Sequence, residues 1–431
     1  MPHERFHYST LDEVRGAAKE LGAYLPLRED TAPLFAPLTL ENGMTAANRI
    51  AFQPMEGTDG TADGAPGELT YRRYRRFAEG GPGIIWFEAV ATLKRARASA
   101  HQLWLTEENL SEYQRMADSI RETSLRVNGY APLIVMQATN SGRYSKPNGV
   151  PEPMIAYHCP PLEAEPLPET TVVTDDDLKR FEDAYQATAR LCQRAGFDGM
   201  DVKCCHRYLA SELLSAYHRP GPYGGSFENR TRFLKNCYRA ARSGLAAGSD
   251  FFLTSRVNIY DGFEYPYGFG VRPGEGLEPD FSEAIRLVKE LRDEFHIPLL
   301  NVTMGNPYKN PHVNRPYDHG NYVPDEHPLT GVGRLMTGAK AVQSAVPVPV
   351  IASGFSYLRQ YSLNLAAAMI AEGNCRFAGF GRMAFSYPEF IHDIRQGACR
   401  ETCVSCGGCA SLLRAGRPAG CVVRDREVYS L

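Results

Sequence analysis

Short, almost wholly apolar runs recur along the chain, separated by longer mixed segments. The runs are RIAFQPM from Arg49, GIIWFEAV from Gly83, PLIVMQA from Pro132, GMDVKCC from Gly199, FFLTSRV from Phe251, IPLLNVTMG from Ile297, VPVIASG from Val348 and CRFAGFGR from Cys375. Continuous rather than alternating hydrophobicity is the pattern of strands buried on both faces. Such strands lie parallel and are joined by crossovers, usually helices. Between the runs, ELTYRRYRRFAEGG, LKRFEDAYQATARLCQRAGF, ENRTRFLKNCYRAARSGLAAG and YSLNLAAAMIAEG have helical spacing, and several end on glycine as helix C-termini do. Eight strand-helix units in roughly 350 residues predict an α/β fold, a TIM (β/α)8 barrel rather than an open doubly wound sheet.

Three connections are long and rich in Pro, Gly and aromatics: Thr139 to Thr174, Asn258 to Pro279, and Asn306 to Thr330. They follow the third, fifth and sixth predicted strands, so a barrel places them on its catalytic face as pocket walls or lids. Ahead of the barrel, residues 1–33 form an N-terminal extension with a helix near Leu11 to Leu21, capped by Ser9 or Thr10. Its apolar stripe is expected to plug the barrel bottom or to pack on a partner. The barrel is assigned to residues 34–397 and a cysteine-bearing segment to residues 398–431.

Composition then narrows the function. With 43% hydrophobic and 23% charged residues the chain is globular, and a net charge of −3 gives no basic excess for nucleic acid or an anionic membrane. The N-terminus MPHERFHYSTLDEVRGAAKELG has no apolar signal-peptide core, and no run of about eighteen uncharged apolar residues predicts a membrane span. The expectation is a cytoplasmic enzyme acting on a small molecule, with homo-oligomerisation left open.

Eleven cysteines, an odd number without secretory features, point to reduced thiols rather than a disulfide framework. Four crowd into CVSCGGCASLLRAGRPAGC as Cys403, Cys406, Cys409 and Cys421, spaced C-x2-C-x2-C-x11-C. A 4Fe-4S cluster takes one cysteine per iron, and here a tight loop supplies three while the fourth returns from a distance. Gly407 and Gly408 keep that loop free of side chains. A structural zinc site satisfies the same four thiolates, and spacing alone leaves both open.

The stretch NRIAFQPMEGTDGTADGAPGELTYRRYRRFAEGGPGIIWFEAV resembles the opening of the old yellow enzyme family, FMN-dependent barrels. QATNSGR from Gln137, RAGFDGMDVKCCHRYLASELLS and YGGSFENRTRFL from Tyr223 are similar to its later motifs, and the resemblance covers Leu34 to Pro388. It implies FMN held by Gln137 and Arg256, with Pro54, Met55 and Ala89 in backbone or packing contact. Gln137 suits the donors and acceptors of the flavin's pyrimidine edge, and Arg256 would set positive charge beside N1. As ordinary structural residues, Gln137 would cap a loop and Arg256 would pair with a barrel carboxylate. Ser353, Gly354, Gly381 and Arg382 are positioned for the phosphate.

The family also implies a substrate-oxygen pair at Lys203 and His206 and a proton-donating tyrosine at Tyr208. Three positions depart from its pattern: Lys203 stands for histidine, Asn140 for histidine, and Glu56 for a smaller or thiol side chain near the flavin. Lysine donates only and would favour an anionic carboxylate or enolate over a neutral ketone, or else neutralise Glu56.

An iron-sulfur subset of the same superfamily, with 2,4-dienoyl-CoA reductase and trimethylamine dehydrogenase, carries a comparable four-cysteine cluster directly after the barrel, which favours iron-sulfur here. No strand followed by G-x-G-x-x-G comes after Cys421, so the electron donor is expected to be a separate protein, a ferredoxin or FAD subunit, or else NAD(P)H directly. The implied reaction is reduction of an activated carbon-carbon double bond. An amine dehydrogenase sending electrons outward, or a non-catalytic electron-transfer subunit, is the alternative. Cys204 and Cys205, inside the fourth strand, read as small buried residues, and Cys399 as a bystander.

Overall fold

The computed structural model describes residues 3–274 and 276–431. Each apolar run carries one barrel strand: β1 (Ile50–Phe52), β2 (Ile84–Ala91), β3 (Leu133–Thr139), β4 (Gly199–Val202), β5 (Phe252–Thr254 and Arg256–Asn258), β6 (Leu300–Thr303), β7 (Val350–Ser353) and β8 (Phe377–Phe380). All neighbouring strands pair parallel. The break in β5 at Ser255 closes the ring, because its first half pairs with β4 and its second half with β6. All eight residues of β2 and all seven of β3 are buried, as strands covered by helices outside and side chains inside must be.

Crossover helices α2 (Glu68–Gly80), α3 (Leu110–Asn128), α4 (Asp175–Arg194), α5 (Phe227–Ser243), α6 (Ser282–Phe295), α7 (Pro328–Ala345) and α8 (Ser362–Ala371) surround the strands, and α1 (Leu11–Glu20) precedes them. Local chemistry sets their ends. Thr10 and Thr174 each accept from the backbone of an acidic residue three positions on and receive its carboxylate in return, forming capping boxes on α1 and α4.

The hairpin Leu38–Thr39 with Thr45–Ala46 lies at the barrel bottom. Leu40 and Ala46 there join Ile84, Leu133, Phe252, Leu299, Ile351 and Phe377 in a separate apolar cluster. That hairpin occupies the place expected of the N-terminal helix, which instead lies on the flank. Val14 and Ala18 of α1 enter the main core, Phe6 meets Tyr357 edge-on at 5.7 Å, and Glu4 pairs with His327 at 3.0 Å.

The C-terminal segment folds back over the rim. Asp425 accepts from Arg72 at 2.6 and 2.8 Å and from Arg76 at 2.8 Å, both on α2, and the Ala419 N–H donates to the Gly57 carbonyl at 2.8 Å. A β-bulge between Phe87 and Ala89 accompanies the turn of Glu88 toward α2, where it meets Arg73 and accepts from Gly57 N–H at 2.8 Å. The backbone just after Glu56 is thereby fixed from both sides. Among the described residues no helix is long and apolar enough to cross a membrane.

Candidate active site

The C-terminal ends of the strands open into one cleft, with about 1110 Å³ of space between its walls and across its mouth. Every residue assigned from sequence to flavin or substrate lines it, Ala89 excepted: Pro54, Met55 and Glu56 after β1, Gln137 on β3, Lys203, His206 and Tyr208 after β4, Arg256 on β5, Ser353 and Gly354 at the end of β7, and Gly381 and Arg382 beyond β8. Ala89 is buried in β2, its carbonyl accepting from Gln102 at 3.3 Å. Asn140 is also away from the wall. Its side-chain oxygen accepts from Gly142 N–H at 3.0 Å, so it caps a turn where the family carries a pocket histidine.

Asp201 organises the floor. Burial pushes its carboxyl up to about 6, and it accepts from Gln137 Nε2 at 2.6 Å, Trp86 Nε1 at 2.8 Å and Arg256 N–H at 2.7 Å. These bonds aim the Gln137 amide and hold its donor side back, leaving the oxygen without a protein partner among the described residues. Among the described residues Arg256 forms no ion pair: its Nη2 reaches Thr303 Oγ1 at 3.5 Å, and its Nε is a buried donor with no acceptor. An unmatched buried guanidinium is costly unless a bound group completes it. A flat, polar-edged group in the cleft would offer the Arg256 Nε an acceptor and the Gln137 oxygen a donor. Gly381 leaves space on the wall, since a Cβ there would come within 2.9 Å of Met55 Sδ.

Lys203 is buried and its ammonium lies 3.6 Å from the centroid of the Tyr208 ring. Burial lowers its pKa, and nearby Glu56 partly restores it without touching it as an ion pair. Glu56 instead accepts from Gln102 Nε2 at 2.7 Å and lies 3.5 Å from the Tyr208 hydroxyl. Burial raises the Glu56 pKa against the pull of Lys203. Tyr208 is held as a protonated phenol, first by burial and then by the Glu56 charge. Its hydroxyl shares a hydrogen bond with Tyr308 at 2.9 Å, and Tyr308, 38% exposed, stacks on Tyr144 at 4.0 Å.

His206 and Arg207 both adopt left-handed backbone, φ 63° and 60°, an arrangement that non-glycine residues keep only under local constraint. Arg207 supplies it, fully buried and paired with Asp261 at 2.9 Å. Burial, then Arg256 and Lys203, push the His206 pKa well down, so the ring is neutral, with Nε2 3.3 Å from Asn314 Nδ2.

Several residues on or beside this wall were not singled out from sequence, four of them polar groups close to Glu56, His206 or Tyr208. Tyr308, Asn314 and Arg315 come from the loop after β6, and Gln102 from the connection after β2. The NPYKNPHVNRP stretch marked its loop as catalytic-face, but no spacing rule identified individual residues. Of the aromatic-rich loop from Tyr260 to Phe269 no residue lines the wall: Tyr260, Phe263 and Phe269 are buried in packing.

Cys403, Cys406, Cys409 and Cys421 share a second cavity of about 360 Å³, and Cys409 also reaches the main cleft. Gly407 takes a left-handed φ of 74°, and its Cβ position lies 2.9 Å from the His319 carbonyl, so the tight turn needs glycine. Ser405 N–H donates to Cys403 Sγ at 3.4 Å and Arg424 N–H to Cys421 Sγ at 3.3 Å. Cys399 is outside this set, and Cys204 and Cys205 are fully buried.

A parallel barrel whose strand ends converge an amide and a guanidinium without an ion-pair partner on one large cleft has the design of the flavin-dependent oxidoreductases. The chain belongs to the NADH:flavin oxidoreductase / NADH oxidase family, whose model matches residues 33–401. It is similar to the NADPH dehydrogenase of Clostridium acetobutylicum, 26% identical over 361 residues, covering 83% of this chain and 93% of that protein. In structure it is similar to 2-naphthoyl-CoA reductase in complex with 2-naphthoyl-CoA, with a TM-score of 0.75 and 20% identity over 92% of this chain. Histamine dehydrogenase from Rhizobium sp. 4-9 superposes with a TM-score of 0.68 and 19% identity over 91% of it. The chain spans 57% and 52% of those two proteins. At these identities the two structures share the fold.

Proposed function

We propose that the protein is an FMN-dependent reductase of activated carbon-carbon double bonds, with Tyr208 as the proton donor and a 4Fe-4S cluster on Cys403, Cys406, Cys409 and Cys421. The observation that carries this reading is the Tyr208 hydroxyl, kept protonated inside the cleft and bonded at 2.9 Å to the hydroxyl of Tyr308, a residue whose surface is 38% exposed. When bound, FMN exchanges electrons as hydride and a 4Fe-4S cluster exchanges them singly. The chain does the rest. Lys203 and neutral His206 hold the substrate oxygen on which negative charge grows as hydride adds, lowering the barrier electrostatically. Tyr208 gives its proton to the neighbouring carbon and recovers one through Tyr308.

Gln137 and Arg256 would hold the isoalloxazine, and Ser353, Gly354, Gly381 and Arg382 the phosphate. For the thiols, a zinc ion needs only the four sulfurs, whereas a 4Fe-4S cluster needs a wider space that backbone N–H groups can approach. The four thiols line one cavity, and N–H groups aim at two of the sulfurs, which supports the cluster. Reducing equivalents would come from a ferredoxin, an FAD-bearing protein or NAD(P)H.

The amine dehydrogenase reading draws support from Tyr144, Tyr208 and Tyr308, a cluster of rings beside the cleft. It meets an obstacle in Lys203, which already occupies the Tyr208 face that a substrate cation would need. Anaerobic purification with flavin, iron, sulfide and zinc analysis, followed by a substrate screen, tests the proposal. Enones or enoates should reoxidise the reduced protein. Amines that reduce the oxidised protein while alkenes leave the reduced form unchanged would contradict it.

A further inference from the structure

Five cationic side chains line the main cleft, Lys203, Arg256, Arg315, Arg382 and Arg414, against a single carboxylate, Glu56. Four of them have engagements. Lys203 lies on the Tyr208 ring, Arg256 reaches Thr303 Oγ1 at 3.5 Å, Arg382 donates to the Pro316 carbonyl at 2.9 Å and Arg414 donates to Asn321. Arg315 differs. Among the described residues its guanidinium makes no hydrogen bond and no ion pair, though it is half-buried and lines both this cleft and an adjoining cavity whose wall includes the Cys406 and Cys409 thiols, the latter near enough to act on its charge.

Its backbone is held firmly. Asn314, just before it, donates to Thr303 Oγ1 at 3.0 Å and to the Met304 carbonyl at 2.8 Å and lies 3.3 Å from His206 Nε2. Pro316, just after it, accepts from Arg382. Arg315 is therefore fixed between the residue assigned to the substrate oxygen and the residue assigned to the flavin phosphate. A sheltered guanidinium with all its donors unspent is kept only where an anion completes it, and its planar fork matches a carboxylate.

We propose that Arg315 is the anchor for a carboxylate on the substrate, and that the substrate class is the α,β-unsaturated carboxylates. This rests on the ene-reductase reading above and gives Lys203 a reason. Hydride addition to the β-carbon pushes the π electrons toward a carboxylate that is already negative. A neutral histidine-type pair stabilises that state poorly, whereas Lys203 and Arg315 bring two fixed cations to it. Protonation of the α-carbon by Tyr208 then yields the saturated carboxylate, with the flavin as two-electron reductant and solvent as the source of the replacement proton.

The test uses the oxidised holoenzyme, which binds without turning over. Perturbation of the flavin spectrum by trans-cinnamate and by its neutral methyl ester gives two dissociation constants. Cinnamate should bind at least about tenfold tighter than the ester. Arg315→Gln should abolish that preference at unchanged flavin and iron content, and Arg315→Lys should retain part of it. Equal affinity for both compounds in the wild type, or a preference that survives Arg315→Gln, would overturn the proposal. So would an Arg315→Gln protein that no longer retains FMN, because Arg315 would then serve the flavin phosphate. If neither compound perturbs the flavin or reoxidises the reduced protein, the ene-reductase reading itself fails, and this inference with it.

Discussion

The Lys203 ammonium lies 3.6 Å from the centre of the Tyr208 ring, so the residue assigned to the substrate oxygen also packs on the residue assigned to proton donation. A cation over the ring favours the phenolate, whereas burial and Glu56 favour the phenol, and the balance falls on the phenol. Lys203→Met should therefore cut kcat/KM for an enoate by about a hundredfold, the scale of losing one preorganised donor at a developing charge. Lys203→His, which restores the family residue, should shift preference toward neutral enones. Steady-state kinetics on a matched enoate and enone pair would check both.

The Tyr208 to Tyr308 bond at 2.9 Å gives a second prediction. Tyr308→Phe keeps the stack on Tyr144 and removes only the hydroxyl. Turnover should fall by about tenfold, a fraction of the usual general-acid contribution. The solvent isotope effect on flavin reoxidation should grow, while flavin reduction is unchanged. Stopped-flow measurement of the two half-reactions in H2O and D2O separates these effects.

Asp201 predicts a pH signature in stability. Its carboxyl is raised from 3.8 to about 6 in the folded protein by burial. Between those values the unfolded chain is ionised while the folded one keeps its proton. The stabilising contribution is thus complete below about pH 4 and lost as pH rises through 6, on the order of 3 kcal/mol in all. Asp201→Asn should flatten this part of the stability profile, as denaturant unfolding at closely spaced pH values would reveal. It should also weaken FMN binding, because Gln137 loses its charged acceptor.

The thiol segment makes a fourth prediction. Cys421→Ala should remove the iron and sulfide, whereas Cys399→Ala should leave both, since Cys399 is outside the shared cavity. Flavin content should survive in each. Loss of zinc alone from Cys421→Ala, with no sulfide ever present, would replace the cluster by a zinc site.

The barrel was readable because parallel strands buried on both faces are uniformly apolar, and all eight runs hold a strand. The break at Ser255 was not, since it reflects β5 serving two neighbours in turn, a property of closure rather than of local sequence. The N-terminal helix was legible through its Ser9 or Thr10 cap, of which Thr10 serves, but its docking beside Tyr357 depends on long-range packing. Within the site, strand-end residues such as Gln137 and Arg256 followed from motifs. Ala89 and Asn140 occupy motif positions but are not among the residues lining the cleft. Gln102, Tyr308 and Arg315 escaped notice because contacts far away in sequence, Glu56 with Gln102 and His206 with Asn314, fix where their loops lie.

The central claim is that Tyr208 protonates a carbon of an alkene reduced in this cleft. Its most direct test is single-turnover reoxidation of the anaerobically reduced holoenzyme by cinnamate or a matched enone, comparing wild type with Tyr208→Phe. The account predicts rapid return of flavin absorbance in the wild type. In the variant it predicts a rate at least about a hundredfold lower, with flavin and cluster spectra unchanged. Equal rates in the two proteins would contradict it.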